Sequence, residues 1–370
     1  MSVQILADQY LKYLDELLPK EAELTRFDPA KGLPDNVTRY DALLIRTVTP
    51  INPPTLPEAG NLQFIGTATA GTDHVDREHL TRLGIEFSQS EGCNANAVAE
   101  YVLTVLYRWA EKTSTDLMKK SVGIVGCGHT GGAVIRLLKN LGITYLAYDP
   151  PKAKIDPNFS SVSVDELLTS DILTFHTPLT MIGNNPTNHL GGREWLQHGF
   201  ELIVNASRGG VIDEAALHDL HQQKVIHNYV LDVWEDEPNF RDRIAKKAFI
   251  ATPHIAGYSV ESKFRASKIV LSRLLNFFNL DINPKAEPER FEPGEFTFNP
   301  EFSFSELLWQ NNQINYYDSE LRKLLGLPSN IKSRRFAELR SKTALRHEYR
   351  TMITGMKLEH DLPKEFQAFE

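Results

Sequence analysis

Short apolar runs alternate with helical patterns through the first third of the chain. Residues 3–7, 42–45 and 64–67 are runs of this kind, and each ends at a polar or glycine-containing turn. They predict buried strands, and residues 9–18 predict a helix between the first two. Residues 94–112 carry apolar side chains at helical spacing and predict a long helix. Strands that alternate with helices are typical of a parallel α/β sheet.

A second α/β unit follows the long helix. A strand at 122–125 leads through a glycine-rich loop into a helix at 133–140, and another strand covers 144–148. Further apolar runs predict the remaining strands, at 171–176, 202–205, 229–233 and 249–252. Ligands of open α/β sheets bind beyond the carboxyl ends of the strands, so we expect a site there.

The pattern changes near residue 281. Four prolines between 284 and 300, among many glutamates, predict an extended linker. Beyond them, residues 295–305 alternate Phe with polar positions and predict a strand, while 306–325 and 332–356 predict helices. The whole pattern predicts two Rossmann-like, doubly wound parallel-sheet domains and a small C-terminal α+β domain.

Composition narrows the class of protein. At 370 residues the chain is long enough for two or three domains. A net charge of −8 argues against a nucleic-acid partner, because no excess of Lys and Arg is available for phosphates. Cys93 and Cys127 suit a reducing cytoplasm, and no Cys-x-x-Cys spacing suggests a metal site. We expect neither a signal peptide nor a membrane span, since no basic-then-apolar leader and no apolar stretch of about 18 residues occurs.

The loop at 126–131 reads Gly-Cys-Gly-His-Thr-Gly and lies between a predicted strand and a predicted helix. In this pattern Gly126 permits a tight turn, Gly128 lets the backbone approach a pyrophosphate, and Gly131 lets helix and strand pack closely. The helix N-terminus would then face the phosphates with free N–H groups. We therefore predict a dinucleotide site; the alternative is a structural turn between strand and helix.

Asp149 ends the strand that follows, about 20 residues after the loop, where an acid would accept both ribose hydroxyls. Its charge disfavours the 2′-phosphate of NADP, so we expect NAD. Lys152 and Lys154 lie close by in sequence and leave NADP open. The alternative reading of Asp149 is a helix-capping residue.

Arg208 and His254 are the candidate chemical groups for a nicotinamide enzyme. The guanidinium of Arg208, after a predicted strand and before two glycines, can bind the carboxylate and carbonyl of an α-keto acid together. Histidine suits proton transfer near neutral pH, and small residues follow His254. A carboxylate bonded to the His would keep it a proton donor, and spacing alone leaves Glu235 and Glu237 as candidates. The alternatives are a surface Arg, a core His and a solvated acidic loop.

Segments 126–131, 205–209, 232–238 and 252–257 resemble the D-isomer-specific 2-hydroxyacid dehydrogenases. The resemblance implies that Arg208 binds the substrate carboxylate, that His254 is the general acid/base, and that Glu237 pairs with it. It also implies an inserted cofactor domain. Residues 1–95, completed by 257–285, would bind substrate, 96–256 would bind NAD, and 286–370 would form the C-terminal domain.

A narrower resemblance, at 46–49, 64–76, 92–95, 171–178 and 254–258, points to members of that family that act on a phosphorylated substrate and dimerise through an extra C-terminal domain. By this resemblance the substrate would be bound by Thr47, Thr69 and Tyr258. NAD would be bound by Gly126, Gly128, His129, Thr130, Gly131, Asp149, Thr177, Ala206, Ser207, Asp232 and Gly257. The sequence departs from the pattern at two positions, with Thr47 where Ser is usual and Ser207 where Cys is common.

A substrate with a carboxylate and a phosphate needs two local cations in an acidic protein. Arg208 can serve one anion, and Arg46, at a predicted strand end, is a candidate for the other; the alternative for Arg46 is a structural salt bridge. The resemblance adds Arg346 as a phosphate contact from the partner subunit. We expect a cytoplasmic, homodimeric NAD-dependent dehydrogenase of a phosphorylated 2-hydroxy acid. The alternatives are a dehydrogenase of glycerate, 3-phosphoglycerate or D-lactate, and an NAD-sensing binding protein on the same scaffold.

Overall fold

The computed structural model describes residues 2–282, 296–342, 344–356 and 362–369. Two compact units are present. The first contains the described residues up to Asn94 and those from Val260 to 282, and the second contains Ala95–Ser259 and the described residues from 296 onward. The second unit is therefore inserted into the first, with crossings after residues 94 and 259.

The first unit is built on a five-stranded parallel sheet with the order β2-β1-β3-β4-β5. Its strands are β1 (Val3–Asp8), β2 (Ala22–Phe27), β3 (Ala42–Ile45), β4 (Phe64–Thr67) and β5 (Glu86–Gln89). Its helices are α1 (Leu14–Leu17), α2 (Arg77–Leu83) and the long α10 (Val260–Phe277). Along β3, Ala42 and Leu44 enter one core while Leu43 and Ile45 enter another. Both faces of the sheet are covered. Its central strands therefore consist of consecutive apolar residues in the sequence.

The second unit holds a six-stranded parallel sheet with the order β11-β10-β9-β8-β6-β7. Its strands are β6 (Ser121–Val125), β7 (Thr144–Tyr148), β8 (Ile172–Phe175), β9 (Phe200–Asn205), β10 (Ile226–Leu231) and β11 (Ile250–Ala251). Alternate residues again enter two cores, Leu202 and Val204 on one face and Ile203 on the other. The strand order reverses between β6 and β8, and such a reversal opens a crevice for ligands.

Helices cover both faces of this sheet. They are α3 (Ala95–Thr113), α4 (His129–Asn140), α5 (Pro150–Ile155), α6 (Val164–Leu167), α7 (Arg193–Leu196), α8 (Glu214–Gln222) and α9 (Asp242–Lys247). The tail adds α11 (Phe304–Gln310), α12 (Ile314–Arg322), α13 (Ser329–Ser341) and α14 (Tyr349–Met356), then a 3-10 turn at Lys364–Phe369. Leu307, Tyr349 and Phe366 share one apolar core with α3, so the described tail packs as part of the second unit. Of the described helices, none has the length and apolar content needed to cross a bilayer.

The strand predicted over 295–305 is not formed in its described part. Phe304 begins α11 instead, because Ser303 and Glu306 form a capping box in which each side chain accepts the other's backbone N–H. Phe296, Phe298 and Phe302 are half-buried against the core without strand pairing. The described part of the tail is helical, and each of its two predicted long helices is divided into two shorter ones.

Candidate active site

The glycine-rich loop leaves β6 and enters α4 as its sequence predicts. Gly126 has φ +87°, and a side chain there would lie 2.8 Å from Thr177 Cγ2. A side chain on Gly131 would lie 1.9 Å from the carbonyl oxygen of Gly126, so helix and turn are in close contact. At Gly128 an added Cβ would meet no protein atom within 4 Å. The loop therefore forms an open cradle, and α4 begins beside it at His129 with unpaired N–H groups of the kind that bind phosphate.

Asp149 lies beside this cradle, directly after β7. Its carboxylate accepts hydrogen bonds from the backbone N–H of Cys127 at 2.8 Å and of Lys152 at 3.0 Å. The residue therefore caps α5, as the alternative reading proposed, and also holds the cradle in place. A carboxylate has about four acceptor sites, so these two bonds leave capacity for ribose hydroxyls. Lys152 donates to the carbonyl oxygen of Cys127 at 2.8 Å.

Two buried polar side-chain atoms at the carboxyl end of β8 have no hydrogen-bond partner among the described residues. They are Oγ1 of Thr177 and Nδ1 of His176. Burial lowers the pKa of His176 to about 3, so its ring is neutral. Unpaired buried polar atoms at a strand-order reversal are what a bound ligand would satisfy. Together with the open cradle, they fit a dinucleotide.

The loop after β9 presents Arg208. Asn205, the last residue of the strand, accepts from the Ser207 N–H at 3.1 Å and from its hydroxyl at 2.7 Å, and donates to the Arg208 carbonyl oxygen at 3.0 Å. Arg208 Nη1 in turn donates to the Ser207 carbonyl oxygen at 2.8 Å. Ala206 and Ser207 are buried. Asn205 thus fixes the loop, a role that the sequence analysis missed.

His254 and Glu237 form a hydrogen-bonded pair, with 2.9 Å between Nδ1 and Oε2. Burial alone would raise the pKa of Glu237, but His254, Arg340 and a hydrogen bond from the Trp234 N–H lower it on balance. Glu237 is therefore a carboxylate and Nδ1 of His254 is the donor, which leaves Nε2 to exchange a proton with a substrate. The geometry selects Glu237 over Glu235, whose carboxylate contacts His189 and Arg241.

The backbone at His254 is held in the left-handed region, with φ +59°. The buried Asp232 imposes this path. Its carboxylate accepts from Thr252 Oγ1 at 2.6 Å and from the N–H groups of Ile255 at 2.8 Å and Ala256 at 2.9 Å. Its carbonyl oxygen accepts from the His254 N–H at 2.7 Å. Asp232, which is predicted to contact NAD, therefore organises the loop that carries His254. Gly257 and Tyr258 follow directly, and Tyr258 is half-buried against the core.

Three further predicted residues belong to the first unit. Thr47 is exposed in a turn after β3, and Thr69 Oγ1 donates to the Gly71 carbonyl oxygen at 2.8 Å, both within the first unit. Arg46, in the same unit, makes a two-bond ion pair with the buried Asp8, at 2.8 Å and 3.2 Å. This is the structural salt bridge that was its alternative. A substrate role for the three residues stays a prediction.

Arg346 is buried in the second unit, where it pairs with Glu100 and donates to the carbonyl oxygens of Ala97 and His347. The ion pair and both hydrogen bonds are within its own chain, and its predicted contact with substrate stays a prediction. The tail arginine next to the Glu237–His254 pair is Arg340, with Nη1 4.0 Å from Glu237 Oε2. The sequence gives no sign of this proximity, because some hundred residues separate Arg340 from Glu237.

One group of side chains among the described residues has the spacing of metal ligands: His189, Asp213 and Glu235. The carboxylate of Glu235 already contacts two side chains of the protein. His189 Nε2 lies 2.6 Å from one of its oxygens and Arg241 Nη1 lies 2.8 Å from the other. The guanidinium of Arg241 supplies the positive charge that a metal would bring, so we assign no metal to this group.

The chain is similar to several known proteins in sequence and in fold. The NAD-binding domain profile of the D-isomer specific 2-hydroxyacid dehydrogenases matches residues 97–256. The chain is 40% identical to an erythronate-4-phosphate dehydrogenase of Marinobacter nauticus over 78% of this chain and 77% of that one. It is 32% identical to one of Tolumonas auensis over 97% of each chain. A solved 2-hydroxyacid dehydrogenase of Ketogulonicigenium vulgare, 22% identical, superposes with a TM-score of 0.62 over 76% of this chain and 98% of that one, which supports the fold.

Proposed function

The chain belongs to the erythronate-4-phosphate dehydrogenases, whose cofactor domain is that of the D-isomer specific 2-hydroxyacid dehydrogenases, and we propose that it oxidises 4-phospho-D-erythronate with NAD. The product is (R)-3-hydroxy-2-oxo-4-phosphobutanoate, in the route to pyridoxal phosphate. The observation that carries this proposal is the hydrogen bond between Glu237 and His254 Nδ1, which leaves Nε2 as the acid/base. Glu237 and His254 follow β10 and β11, and Arg208 follows the neighbouring strand β9.

The chain's residues divide the chemistry between them. His254 Nε2 takes the proton of the C2 hydroxyl, and the carboxylate of Glu237 stabilises the imidazolium that forms. The guanidinium of Arg208 holds the substrate carboxylate and polarises the carbonyl that develops at C2. Asp232 keeps His254 in position through the bonds to its loop. The chemistry that bound NAD supplies is acceptance of the hydride from C2.

The cradle at 126–131, Asp149 and Thr177 would hold the cofactor. The open space at Gly128 and the unpaired Oγ1 of Thr177 support this assignment. Asp149 favours NAD because its carboxylate would repel a 2′-phosphate. The backbone of 206–208 and Gly257 complete the predicted contacts. Thr47, Thr69, Tyr258 and the arginines Arg46 and Arg346 remain the proposed substrate contacts.

We infer further that the protein is a cytoplasmic homodimer that associates through residues 286–370. The inference rests on the resemblance of this segment to a dimerisation domain and on two free, buried cysteines that suit a reducing compartment. Light scattering of the full chain tests the dimer: a mass of one chain at micromolar concentration would contradict it. A matching mass of two chains would support it.

The experiment that tests the function is NADH formation from 4-phospho-D-erythronate, with a 2-keto acid present as acceptor in case NADH stays bound. D-3-phosphoglycerate, D-glycerate and D-lactate serve as parallel substrates, and His254→Asn is the control for background. We expect turnover of the erythronate above all others and none by the variant. Preferential turnover of another hydroxy acid would support the proposed mechanism and contradict the proposed substrate. NAD binding without any turnover would favour the sensor instead.

A further inference from the structure

Helix α13 in the tail is anchored next to the loop that carries the catalytic carboxylate. Near its start, Lys332 is buried and ion-paired with Asp242 of α9. One turn later, the buried ring of Phe336 lies 5.9 Å from that of Phe240. These contacts fix the helix against the segment that follows Glu237, all within the second unit. The last turn of the helix is thereby directed to the site, and it carries Arg340.

Arg340 contacts the acid/base pair and its neighbour. Nη1 lies 4.0 Å from Glu237 Oε2, the same oxygen that accepts the hydrogen bond from His254 Nδ1. The side chain of Tyr258, four residues after the histidine, is also close enough to act electrostatically on the guanidinium. The Arg340 side chain is 28% exposed, so its charge acts on the pair with reduced screening by water.

The two arginines of the tail differ in how they are held. Arg346 donates to Glu100 and to two backbone carbonyl oxygens, which is the bonding of an arginine that serves the fold. Arg340 Nε, by contrast, is buried with no hydrogen-bond partner among the described residues. Arg340 is therefore a cation with an unsatisfied N–H group next to the carboxylate of Glu237. Packing of the tail alone does not explain this arrangement.

We propose that Arg340 is a positioning residue for the acid/base pair, which holds Glu237 and Tyr258 in place and opposes protonation of the pair by its positive charge. This rests on the proposed function, because it assigns His254 the proton transfer. The tail would then complete the active site of its own chain. Oxidation needs a neutral imidazole, so a nearby fixed cation extends activity toward lower pH.

The charged and titratable groups around the guanidinium are Glu237, Tyr258 and Asp232, and those facing Glu237 are His254 and Arg340. Among these, Arg340 is the one permanent cation. Its replacement by a neutral side chain removes a positive charge from beside the Glu237 carboxylate, which is bonded to His254. The pair then takes up a proton at higher pH.

The test compares Arg340→Gln and Arg340→Lys with the unchanged protein. The first measurement is an NMR titration of the imidazole signals, with that of His254 assigned by its loss in His254→Asn. We expect the protonation midpoint of the pair to rise by about 0.5 to 1 pH unit in Arg340→Gln. In Arg340→Lys, which retains the charge, it should stay close to that of the unchanged protein. The acid limb of kcat/KM should move with the midpoint, and kcat should fall about 10-fold in the Gln variant.

Arg334→Gln is the matched control, because Arg334 lies on the same helix, is exposed and faces Glu338. It should leave midpoint, kcat and NAD affinity unchanged. An unchanged midpoint in Arg340→Gln would overturn the inference. So would an equal change in Arg334→Gln. The NMR titration needs no substrate, so a protein that fails to oxidise 4-phospho-D-erythronate would reject the proposed function and still allow this inference to be judged.

Discussion

At the scale of single residues, Asp232 determines the path of the loop that carries His254. Its carboxylate accepts three hydrogen bonds, from Thr252, Ile255 and Ala256, and it is 1% exposed. Removal of a buried acceptor leaves its donors unsatisfied, and each such donor costs about 1–3 kcal/mol. The left-handed backbone of His254 has a conformational cost of its own, which these bonds offset.

We expect Asp232→Ala to lower the free energy of unfolding by about 2–4 kcal/mol and to abolish most turnover. Chemical denaturation and initial rates measure the two effects. Asp232→Asn is the control, because its amide retains one acceptor oxygen for the loop, and it should lose less stability. An alanine variant as stable as the unchanged protein would show that the loop keeps its path without this carboxylate.

Arg208 is the proposed substrate-carboxylate ligand, and this role depends on the shape of its side chain as well as on its charge. A lysine keeps the charge and loses the fork that binds carboxylate and carbonyl together. We expect Arg208→Lys to reduce kcat/KM by about 10- to 100-fold while the affinity for NAD changes little. Initial rates and fluorescence titration with NADH measure these quantities. If NAD affinity falls as far as turnover does, the variant has damaged the loop and the substrate role of Arg208 loses its support.

At the scale of elements, the loops after β9 and β10 are held in contact by Gly209. A Cβ at this position would lie 1.8 Å from the Trp234 carbonyl oxygen and 2.9 Å from the Glu235 N–H nitrogen. This contact fixes the loop of Arg208 against the loop of Glu237. A side chain at 209 must push the two loops apart, because the obstructing atoms belong to the backbone.

We expect Gly209→Ala to lower turnover by at least about 10-fold, since displacements near 1 Å are costly in a preorganised site, and also to lower stability. Gly128→Ala is the matched control. Its Cβ would meet no protein atom within 4 Å, so that variant should keep its stability and lose affinity for NAD. Calorimetry and NAD titration of both proteins measure the difference. A Gly209→Ala protein with normal rates would contradict the tight contact between the loops.

The sequence predicts those elements whose signal is local. The apolar runs of β3 and β4 match the observed strands, because every residue of these two inner strands is buried in a parallel sheet covered on both faces. The sequence does not predict β2. This strand lies at the edge of the sheet and is largely exposed, so its sequence contains no apolar run. The prediction of a strand at 295–305 is wrong in the described part of that segment. The capping box at Ser303 starts a helix there, and this local signal outweighs the alternation of phenylalanines.

The candidate site is predictable to the same extent. The cradle, Arg208, Glu237 and His254 follow strand ends and belong to short motifs, so the sequence is sufficient to propose them as site residues. Asn205 and Asp232 act through bonds to backbone N–H groups, which residue types alone do not reveal. The position of Arg340 cannot be predicted without knowing which helix packs beside Glu237. That packing depends on the tertiary contacts of Lys332 and Phe336.

At the scale of the whole molecule, one buried carboxyl group in the second unit couples its stability to pH. Glu214, at the start of α8, is 2% exposed. It accepts from the Glu235 N–H at 2.8 Å, and its second oxygen has no hydrogen-bond partner among the described residues. Burial is the main cause that raises its pKa from 4.5 to about 7, with the nearby charge of Glu235 adding to the rise.

The folded protein therefore keeps this proton at a pH where the unfolded chain has released it. Between pH 4.5 and about 7 the folded state binds more protons, so the contribution of Glu214 to stability falls as pH rises through this window, then stays constant. Glu214→Gln retains an acceptor oxygen for the Glu235 N–H and cannot ionise. We expect this variant to match the unchanged protein near pH 4.5 and to exceed its stability above pH 7 by about 1–3 kcal/mol. Urea denaturation across this range measures the difference, with the exposed Glu194→Gln as a control that should show none. A constant difference at all pH values would mean that Glu214 titrates alike in the folded and unfolded states.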